Sequence, residues 1–569
     1  MKEIYESLTT PYSENMDRQM PWNYYPRPSL KRDSFLCLNG EWDFAVTDGA
    51  EPRDYSEKIL VPFPPESSLS GICREIPRGK YIYYKRRVSL PEGFMRDRLI
   101  LHFGAVDTLC EVFVGGVSVG EHEGGYLPFS FDITNFASAG EFEITVKVKD
   151  DLDKTYPYGK QKRKRGGMWY TPVSGIWQTV WLESVPEKHI SSLRVQSSMK
   201  GATLTVLGGE NEKRITLKDS GEVFIFTGES VTICPEKIKL WSPEEPYVYD
   251  FILESGEDRV ESYFALREIA VGKQNGIPRI LFNGKPTLFS GLLDQGYFPD
   301  GIFLPATKEG YRDDIMLAKR LGFNMLRKHI KVEPEIFYEY CDRLGIFVFA
   351  DMVNNSSYSF LLDTALPTVG LKRIPDTLRH RGRSREVFLR DMKATIEHIG
   401  FFPSVVYYTV FNEGWGQFSA DKVFKVAKQA DSTRIIDATS GWFTRHESDV
   451  DSRHVYFKPV KLGKVGDRPV IISEFGGYSH RVCGHLFGKK NYGYRIFEDE
   501  GEFREALGRL YSEEILPQIK DGISGLVYTQ LSDVEDETNG LLTYDRMKIK
   551  VDISRCFELM KRLSEAVKE

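Results

Sequence analysis

Two stretches of this chain carry an apolar run up to a carboxylate, which is where an acid group is best placed to move protons or attack carbon. The first is Val405-Val406-Tyr407-Tyr408-Thr409-Val410-Phe411-Asn412-Glu413-Gly414-Trp415, and the second is Arg468-Pro469-Val470-Ile471-Ile472-Ser473-Glu474-Phe475-Gly476-Gly477. Each reads as a buried parallel strand, β-branched or aromatic, that stops at polar groups. In an α/β barrel the carboxyl ends of the strands face the mouth, while the strand bodies fill the core. Two carboxylates side by side at such a mouth match the demand of glycosidic bond cleavage, in which one group donates a proton and the other attacks the anomeric carbon. On this reading Glu413 is the general acid/base and must hold a proton at working pH. Glu474 is the nucleophile, with the two carboxyl groups roughly 5 to 5.5 Å apart as a retaining mechanism requires. The structural alternative is a pair of buried carboxylates held by an arginine such as Arg327, a residue that can also orient Glu474 and keep it ionised.

A barrel long enough to present both strands must lie in the carboxyl-terminal half, and the texture there fits. After Phe282-Asn283-Gly284-Lys285-Pro286, strands alternate with amphipathic helices, the pattern of parallel βαβ units. Candidate strands are 287–291, 324–327, 346–351, the run ending at Glu413, 434–438, 454–456, the run ending at Glu474, and 525–529, eight in all. Helices are expected over 309–321, 333–344, 384–399, 419–430 with Ser419 as cap, and 502–519, where Pro517 should kink or shorten the last. Residues 38–183 instead show short alternating segments between turn residues, a β-sandwich pattern, and a smaller set of strands (203–207, 223–226, 238–241, 248–253) suits an immunoglobulin-like sandwich. The expected division is therefore 1–185, 186–275 and 276–569. Within the first unit the basic, glycine-bounded run 159–167, with Lys160 and Arg165, is either a solvated loop or one that reaches the barrel mouth.

Composition narrows the partners. With 569 residues the chain has room for three or four domains, and 76 basic against 82 acidic residues leave a net charge of -6, with no basic surplus to attract nucleic acid. The seven cysteines are scattered and form no Cys-x-x-Cys pair, so they are expected to be reduced and mostly buried, not a disulfide or zinc framework. No apolar run is long enough to cross a membrane as a helix, and residues 1–23 lack the pattern of a signal peptide, which favours the cytoplasm unless a leader has been removed.

The chain resembles glycoside hydrolase family 2, which includes β-galactosidases, β-glucuronidases and β-mannosidases, and the resemblance spans nearly all of it. It is carried by Leu38-Asn39-Gly40-Glu41-Trp42, by the run from Ser174-Gly175-Ile176-Trp177 to Glu183, by Gly322-Phe323-Asn324-Met325-Leu326-Arg327, and by Cys341-Asp342-Arg343-Leu344-Gly345. Phe411-Asn412-Glu413 and Ser473-Glu474-Phe475-Gly476 resemble the family's acid/base and nucleophile motifs. The resemblance implies a jelly-roll sandwich, an immunoglobulin-like sandwich and a catalytic (β/α)8 barrel. It also implies that Asn412 binds the sugar 2-hydroxyl and that Tyr456 hydrogen-bonds the nucleophile. Trp415 and Trp442 offer flat faces for sugar rings, or for core packing. The chain departs from the family at Lys328-His329-Ile330-Lys331, Leu293-Asp294-Gln295, Phe401-Phe402-Pro403-Ser404 and Tyr528-Thr529-Gln530. The Asn-x-Lys triplet used by glucuronidases is not evident, although Lys489-Lys490-Asn491 falls in a similar region. Asp294, His329, Asp351 and His454 are candidates for sugar hydroxyl contacts, or for internally satisfied polar groups.

The expected function is that of an exo-acting retaining β-glycosidase of β-galactosidase type, acting on an oligosaccharide or glycoside without redox or nucleotide cofactor and without an identified metal site. β-Glucuronidase, β-mannosidase and arabinosidase specificities stay open. So does a catalytically silent carbohydrate-binding protein on the same scaffold. Oligomeric state is open as well, with dimers or tetramers common in such families.

Overall fold

The computed structural model describes residues 8–368, 370–371 and 382–568. The first region is a sandwich of two antiparallel sheets. The larger runs in the order Glu57–Val61, Gly40–Thr47, Tyr81–Ser89, Glu141–Lys149, Leu109–Val114, Val117–Glu123. Opposite it lie Phe35–Cys37, Val180–Val185, Arg98–Phe103 and Phe129–Asp132. Alternating side chains of the two sheets, among them Trp42, Phe44, Tyr84, Leu101, Phe103, Val112, Ile144 and Leu182, make a core of their own. Between Lys149 and Val180 the chain leaves this sandwich for about thirty residues, and that excursion carries the basic run toward the barrel.

A second, smaller pair of sheets follows, one of three strands (Ile190–Ser197, Ala202–Gly208, Ser230–Ile233) and one of four (Val223–Thr227, Glu212–Leu217, Tyr249–Ser255, Asp258–Phe264). The expected strand at 238–241 does not form. Proline at 235 and 243 brackets the segment, Leu240 makes only a single bridge to Leu266, and the Trp241 indole instead donates to the Asp342 carbonyl oxygen at 2.7 Å, plugging the underside of the barrel.

The barrel strands are β1 (Phe289–Asp294), β2 (Met325–Lys328), β3 (Phe347–Asp351), β4 (Val405–Asn412), β5 (Ile435–Ser440), β6 (Asp451–Val455), β7 (Val470–Gly476) and β8 (Ile523–Thr529). They form one parallel sheet in the order β5-β4-β3-β2-β1-β8-β7-β6. The ring is nearly closed: β5 and β6 come together without a backbone ladder among the described residues, and side chains bridge the seam. Inside, Phe289, Met325, Phe347, Phe349, Val406, Tyr407, Ile435, Ile471 and Val527 pack with Trp241 and with Ile280 and Phe282 of a hairpin below. The apolar bodies of the strands therefore make a solid core, leaving only the upper rim for chemistry.

Helices α1 (Glu309–Arg320), α2 (Glu335–Leu344), α3 (Arg383–Ile399), α4 (Ala420–Ala430), α5 (Glu500–Arg509) and α6 (Ile553–Ala566) surround the strands. Gly345, with φ 76°, ends α2 in the left-handed turn that lets β3 start at once. The expected long helix 502–519 is shorter: after α5 the chain widens into a π turn over Leu510–Ile515 and tightens into a 3-10 turn at Leu516–Gln518, where Pro517 lacks the N–H a continuing helix needs. The seven cysteines are all free, four of them buried, with Cys234 and Cys483 exposed. Among the described residues no helix is long and apolar enough to cross a membrane.

Candidate active site

Glu413 stands one residue past β4 and Glu474 within the last turn of β7, so both enter the mouth from strand ends. They are 8% and 5% exposed. Glu413 has φ 53°, a left-handed conformation that costs a non-glycine residue about 1–2 kcal/mol, and its N–H donates to the Ser440 carbonyl oxygen at 2.8 Å. The strained turn swings its side chain off the strand direction and across the mouth. A carboxylate oxygen of Glu413, one of Glu474 and a ring nitrogen of His454 all lie within 4.8 Å of one another.

Around Glu474 the polar groups form one connected set. Arg327, buried at the end of β2, donates from Nη1 to Glu474 Oε1 at 3.2 Å and to the Ser473 carbonyl oxygen at 2.9 Å. Its Nε and Nη2 donate to the two oxygens of Asp351 at 2.9 and 3.0 Å, and Nη2 also reaches Asn412 Oδ1 at 2.8 Å. One guanidinium thus locks three strand ends, since its planar fork fills several acceptors at once. Tyr456 donates to Glu474 Oε2 at 2.7 Å and meets Thr529 Oγ1 at the same distance. Burial alone would raise the proton affinity of Glu474, but His454 and Arg327 outweigh it and hold the carboxyl well below its ordinary range. In Asp351 burial likewise loses to Arg327, and the group is held at about 2. His329 Nδ1 lies 2.7 Å from Asp351 Oδ2, and burial pushes the imidazole below its usual value, so it is neutral at neutral pH.

His454 faces Glu474 across the β6–β7 ladder. Its Nδ1 is 2.9 Å from Glu413 Oε1, its Nε2 is 2.9 Å from Ser440 Oγ and 3.5 Å from Glu474 Oε1, and its side chain is wholly buried. Trp442 sets its ring edge to face with this imidazole at 5.5 Å. Glu413, His454 and Glu474 also have the spacing of a divalent-cation site, which nothing in their sequence separation suggests. The Arg327 guanidinium against Glu474 opposes a second positive charge there, and the trio is better suited to proton transfer and nucleophilic attack.

The remaining expected site residues divide by position. Asp294 belongs to a separate buried ion cluster: it accepts from Lys328 at 2.5 Å, Lys328 and Lys331 both reach Glu333 at 2.9 Å, and the Tyr311 hydroxyl donates to Glu333 at 2.6 Å. Its carboxylate is occupied holding the β1 and β2 ends together. Trp415 is a packing residue of the rim, its ring against Tyr158 and Trp169 at 5.4 and 5.3 Å and its indole N–H donating to the Ser356 carbonyl oxygen at 3.1 Å.

Those contacts fix the excursion from the first sandwich. The Tyr158 N–H donates to the Asn354 carbonyl oxygen at 3.1 Å, the Tyr158 hydroxyl to the Ser356 carbonyl oxygen at 2.7 Å, and Arg165 pairs with Glu535 at 3.2 Å. The basic run therefore reaches the mouth. Lys160 is 92% buried, yet no carboxylate is within ion-pair distance of its ammonium among the described residues; its charge is felt by Glu474, His329 and Glu537. Glu537, in the loop after β8, accepts from the Tyr170 hydroxyl and from Gln530 Nε2 at 3.3 Å, and burial raises it to about 7 against the pull of Lys160. Tyr494 stacks on Tyr456 at 3.8 Å. Ser440, Thr529, Glu537 and Tyr494 escape sequence reasoning. For Ser440 and Thr529 the available signal was their place at the ends of β5 and β8, whereas Glu537 and Tyr494 sit in loops whose path no periodicity reveals.

Two family models match the chain: the glycosyl hydrolases family 2 sugar binding domain over residues 74–186 and the glycosyl hydrolases family 2 TIM barrel domain over residues 278–514. A β-galactosidase of Priestia megaterium is 22% identical over 524 residues, covering 84% of this chain and 48% of that protein. The chain thus spans about half the length of that relative, and 39% of a Thermoanaerobacter pseudethanolicus β-galactosidase. A β-glucuronidase of Streptococcus agalactiae is 23% identical over 96% of both chains. The solved β-glucuronidase of an uncultured Clostridium sp. superposes with a TM-score of 0.74 at 18% identity, over 94% of this chain and 99% of that one, a likeness of fold.

Proposed function

The chain belongs to glycoside hydrolase family 2, and from that premise we propose that it is an exo-acting retaining β-glycosidase. The observation that carries the reading is the gap of at most 4.8 Å between oxygens of Glu413 and Glu474, which suits direct attack by a carboxylate. An inverting pair stands roughly 6.5–9.5 Å apart to admit a water. Glu474, held ionised, attacks the anomeric carbon as the bond to the aglycone oxygen breaks, and Glu413 gives its proton to that oxygen. The aglycone leaves as an alcohol. Water then yields a proton to Glu413 while its oxygen replaces Glu474 on carbon, returning both groups to their starting state. Asn412 is assigned to the sugar 2-hydroxyl, and Arg327 and Tyr456 to the alignment of Glu474. The division into units at 185/186 and 275/276 is proposed with it; the first boundary lies between the strands Val180–Val185 and Ile190–Ser197, and the second lies in the turn of the hairpin formed by Ile269–Gln274 and Ile277–Phe282.

For the glycone we propose a neutral, β-galactosidase-type sugar, because Glu537 places a second carboxyl beside Glu474 in the mouth, and a uronate would add a further negative charge there. The Lys160 ammonium supports the uronate reading instead, since a buried cation without an ion-pair partner among the described residues is a natural seat for a carboxylate. A panel of 4-nitrophenyl β-glycosides, including galactoside, glucoside, mannoside, glucuronide and galacturonide, separates the two. Glu474→Ala is expected to abolish turnover of whichever substrate responds, and full activity in that variant contradicts the mechanism.

A further inference from the structure

Tyr170 holds both members of a buried pair of opposite charges that do not touch. Its N–H donates to the Lys160 carbonyl oxygen at 3.0 Å, its carbonyl oxygen accepts from the Lys162 N–H at 3.1 Å, and its hydroxyl donates to Glu537 Oε2. Lys160 is fixed on either side as well. A β-carbon on Gly159, φ 60°, would stand 2.9 Å from the Ile330 carbonyl oxygen, so the backbone is pressed against the loop after β2. The Gln161 amide donates to Asp107 at 3.0 Å and accepts from the Val173 N–H at 2.6 Å. Glu537 takes both of its donors, Tyr170 and Gln530, on Oε2. Among the described residues, Glu537 Oε1 and Lys160 Nζ make no hydrogen bond, and neither atom is sealed from solvent. The ammonium and the carboxyl feel each other's charge yet stay beyond ion-pair distance. Opposite charges buried and held apart are costly unless a polar group lies between them. A hydroxyl, with one hydrogen to give and lone pairs to accept, suits both.

We propose, resting on the reading of the mouth as the site of a neutral glycone, that a sugar hydroxyl bridges Lys160 and Glu537, accepting from the ammonium and donating to Oε1. Ring geometry narrows which hydroxyl. Gln530 ties Glu537 to the end of β8, which stands across the ring of eight strands from β4 and Asn412. With the 2-hydroxyl at Asn412, the far side of a pyranose presents C4 and the hydroxymethyl on C5, so the bridging group is the hydroxyl on C4 or on C6. The same pair selects against a uronate, whose carboxylate has no hydrogen to give Glu537 and would set a second negative charge beside it. Lys160 comes from the first sandwich and Glu537 from the barrel, so the choice of glycone depends on how Tyr170 locks the two units together.

The test measures kcat/KM at about pH 8, above the Glu537 value of about 7, on the 4-nitrophenyl glycoside of the sugar found with the panel and on its 4-deoxy and 6-deoxy analogues. The unmodified protein should lose about 10- to 100-fold on one analogue, the size of a hydrogen bond to a charged group. Lys160→Met, which keeps the length of the stem without its charge, and Glu537→Gln should each lose at least about tenfold on the parent glycoside. On that one analogue they should lose no more than about threefold, because the group they would contact is gone. Glu537→Gln should also raise the ratio of uronide to parent kcat/KM by about tenfold. Equal losses on all three glycosides, or an unmodified protein indifferent to both deoxy positions, overturn the proposal. So does a uronide that responds in the panel and is lost in Lys160→Met, which makes Lys160 the seat of a carboxylate. The deoxy comparison on the unmodified protein stands even if a variant fails to fold. Glu474→Ala separates the failures: full activity there removes the glycosidase mechanism. A neutral sugar that responds, an inactive Glu474→Ala and variants blind to the deoxy positions together remove only the Lys160–Glu537 bridge.

Discussion

At Glu474 the contest between burial and neighbouring charge decides the chemistry. Burial favours the acid form, but His454 and Arg327 reverse it, and the Tyr456 O–H donates to the ionised form. Because the carboxyl is held below its ordinary range, the nucleophile stays ionised at pH values where a free glutamate would take up a proton. The acid limb of kcat/KM due to Glu474 should accordingly lie below about pH 4.3, the unperturbed glutamate value. Tyr456→Phe removes a donor to the charged form, so the limb should move to higher pH and kcat should fall about tenfold, consistent with the roughly 1.5–3 kcal/mol of a hydrogen bond to a charged group. An unmoved limb would show that Tyr456 does not act on Glu474. What was readable at this scale was residue type and strand position. Glu413, Glu474 and Arg327 each close or follow an apolar run. The partners of Asp294 were not readable, because Lys328 and Glu333 look like ordinary charged residues until β1 and β2 are laid side by side.

Among the elements, the excursion between the two halves of the first sandwich has the largest influence on the mouth. It carries Lys160 in, and it is pinned by the rings of Tyr158 and Trp169 against Trp415. Trp415→Ala should lower unfolding stability by about 3–5 kcal/mol, the range for removing a large buried aromatic, and should expose the chain near Lys162–Arg165 to trypsin. Denaturant unfolding and timed digestion check both, and unchanged digestion would mean that the excursion is held without that ring. Most of the barrel strands were legible in sequence because parallel strands buried on both faces are continuous apolar runs, whereas β6, Asp451-Ser452-Arg453-His454-Val455, is buried on alternate residues only. The segment 238–241 looked like another such run, yet its tryptophan is spent under the barrel floor, a tertiary use that local pattern does not reveal. That β5 and β6 form no backbone ladder among the described residues was equally invisible, since it depends on how two neighbouring strands fail to pair.

Across the whole molecule, several carboxyls are buried where the units meet or inside them. Asp342 of the barrel accepts from the Tyr263 hydroxyl of the second sandwich at 2.8 Å and from the Ser404 N–H at 2.7 Å, and burial raises it to about 7. Burial raises Glu66 and Asp107 of the first sandwich to about 8. The sign follows from proton counting: between the unfolded value near 4 and the folded value, the native state binds more protons, so the stability these groups contribute is full below pH 4 and is lost as pH rises through 7 to 8. Tm should therefore fall between about pH 5 and 8, and Asp342→Asn should flatten the part of that slope below about pH 7; a Tm rising over this interval contradicts the assignment. The convergence of β4, β6 and β7 on one mouth, with the first sandwich reaching in from the side, is the arrangement from which the proposed double displacement follows. The most direct test is the stereochemistry of the first product, read by proton NMR within the first minutes of hydrolysis of the responding 4-nitrophenyl β-glycoside. The β-anomer of the free sugar appearing first, and mutarotating only later, is the predicted result. The α-anomer appearing first would mean that water, not Glu474, attacks the anomeric carbon.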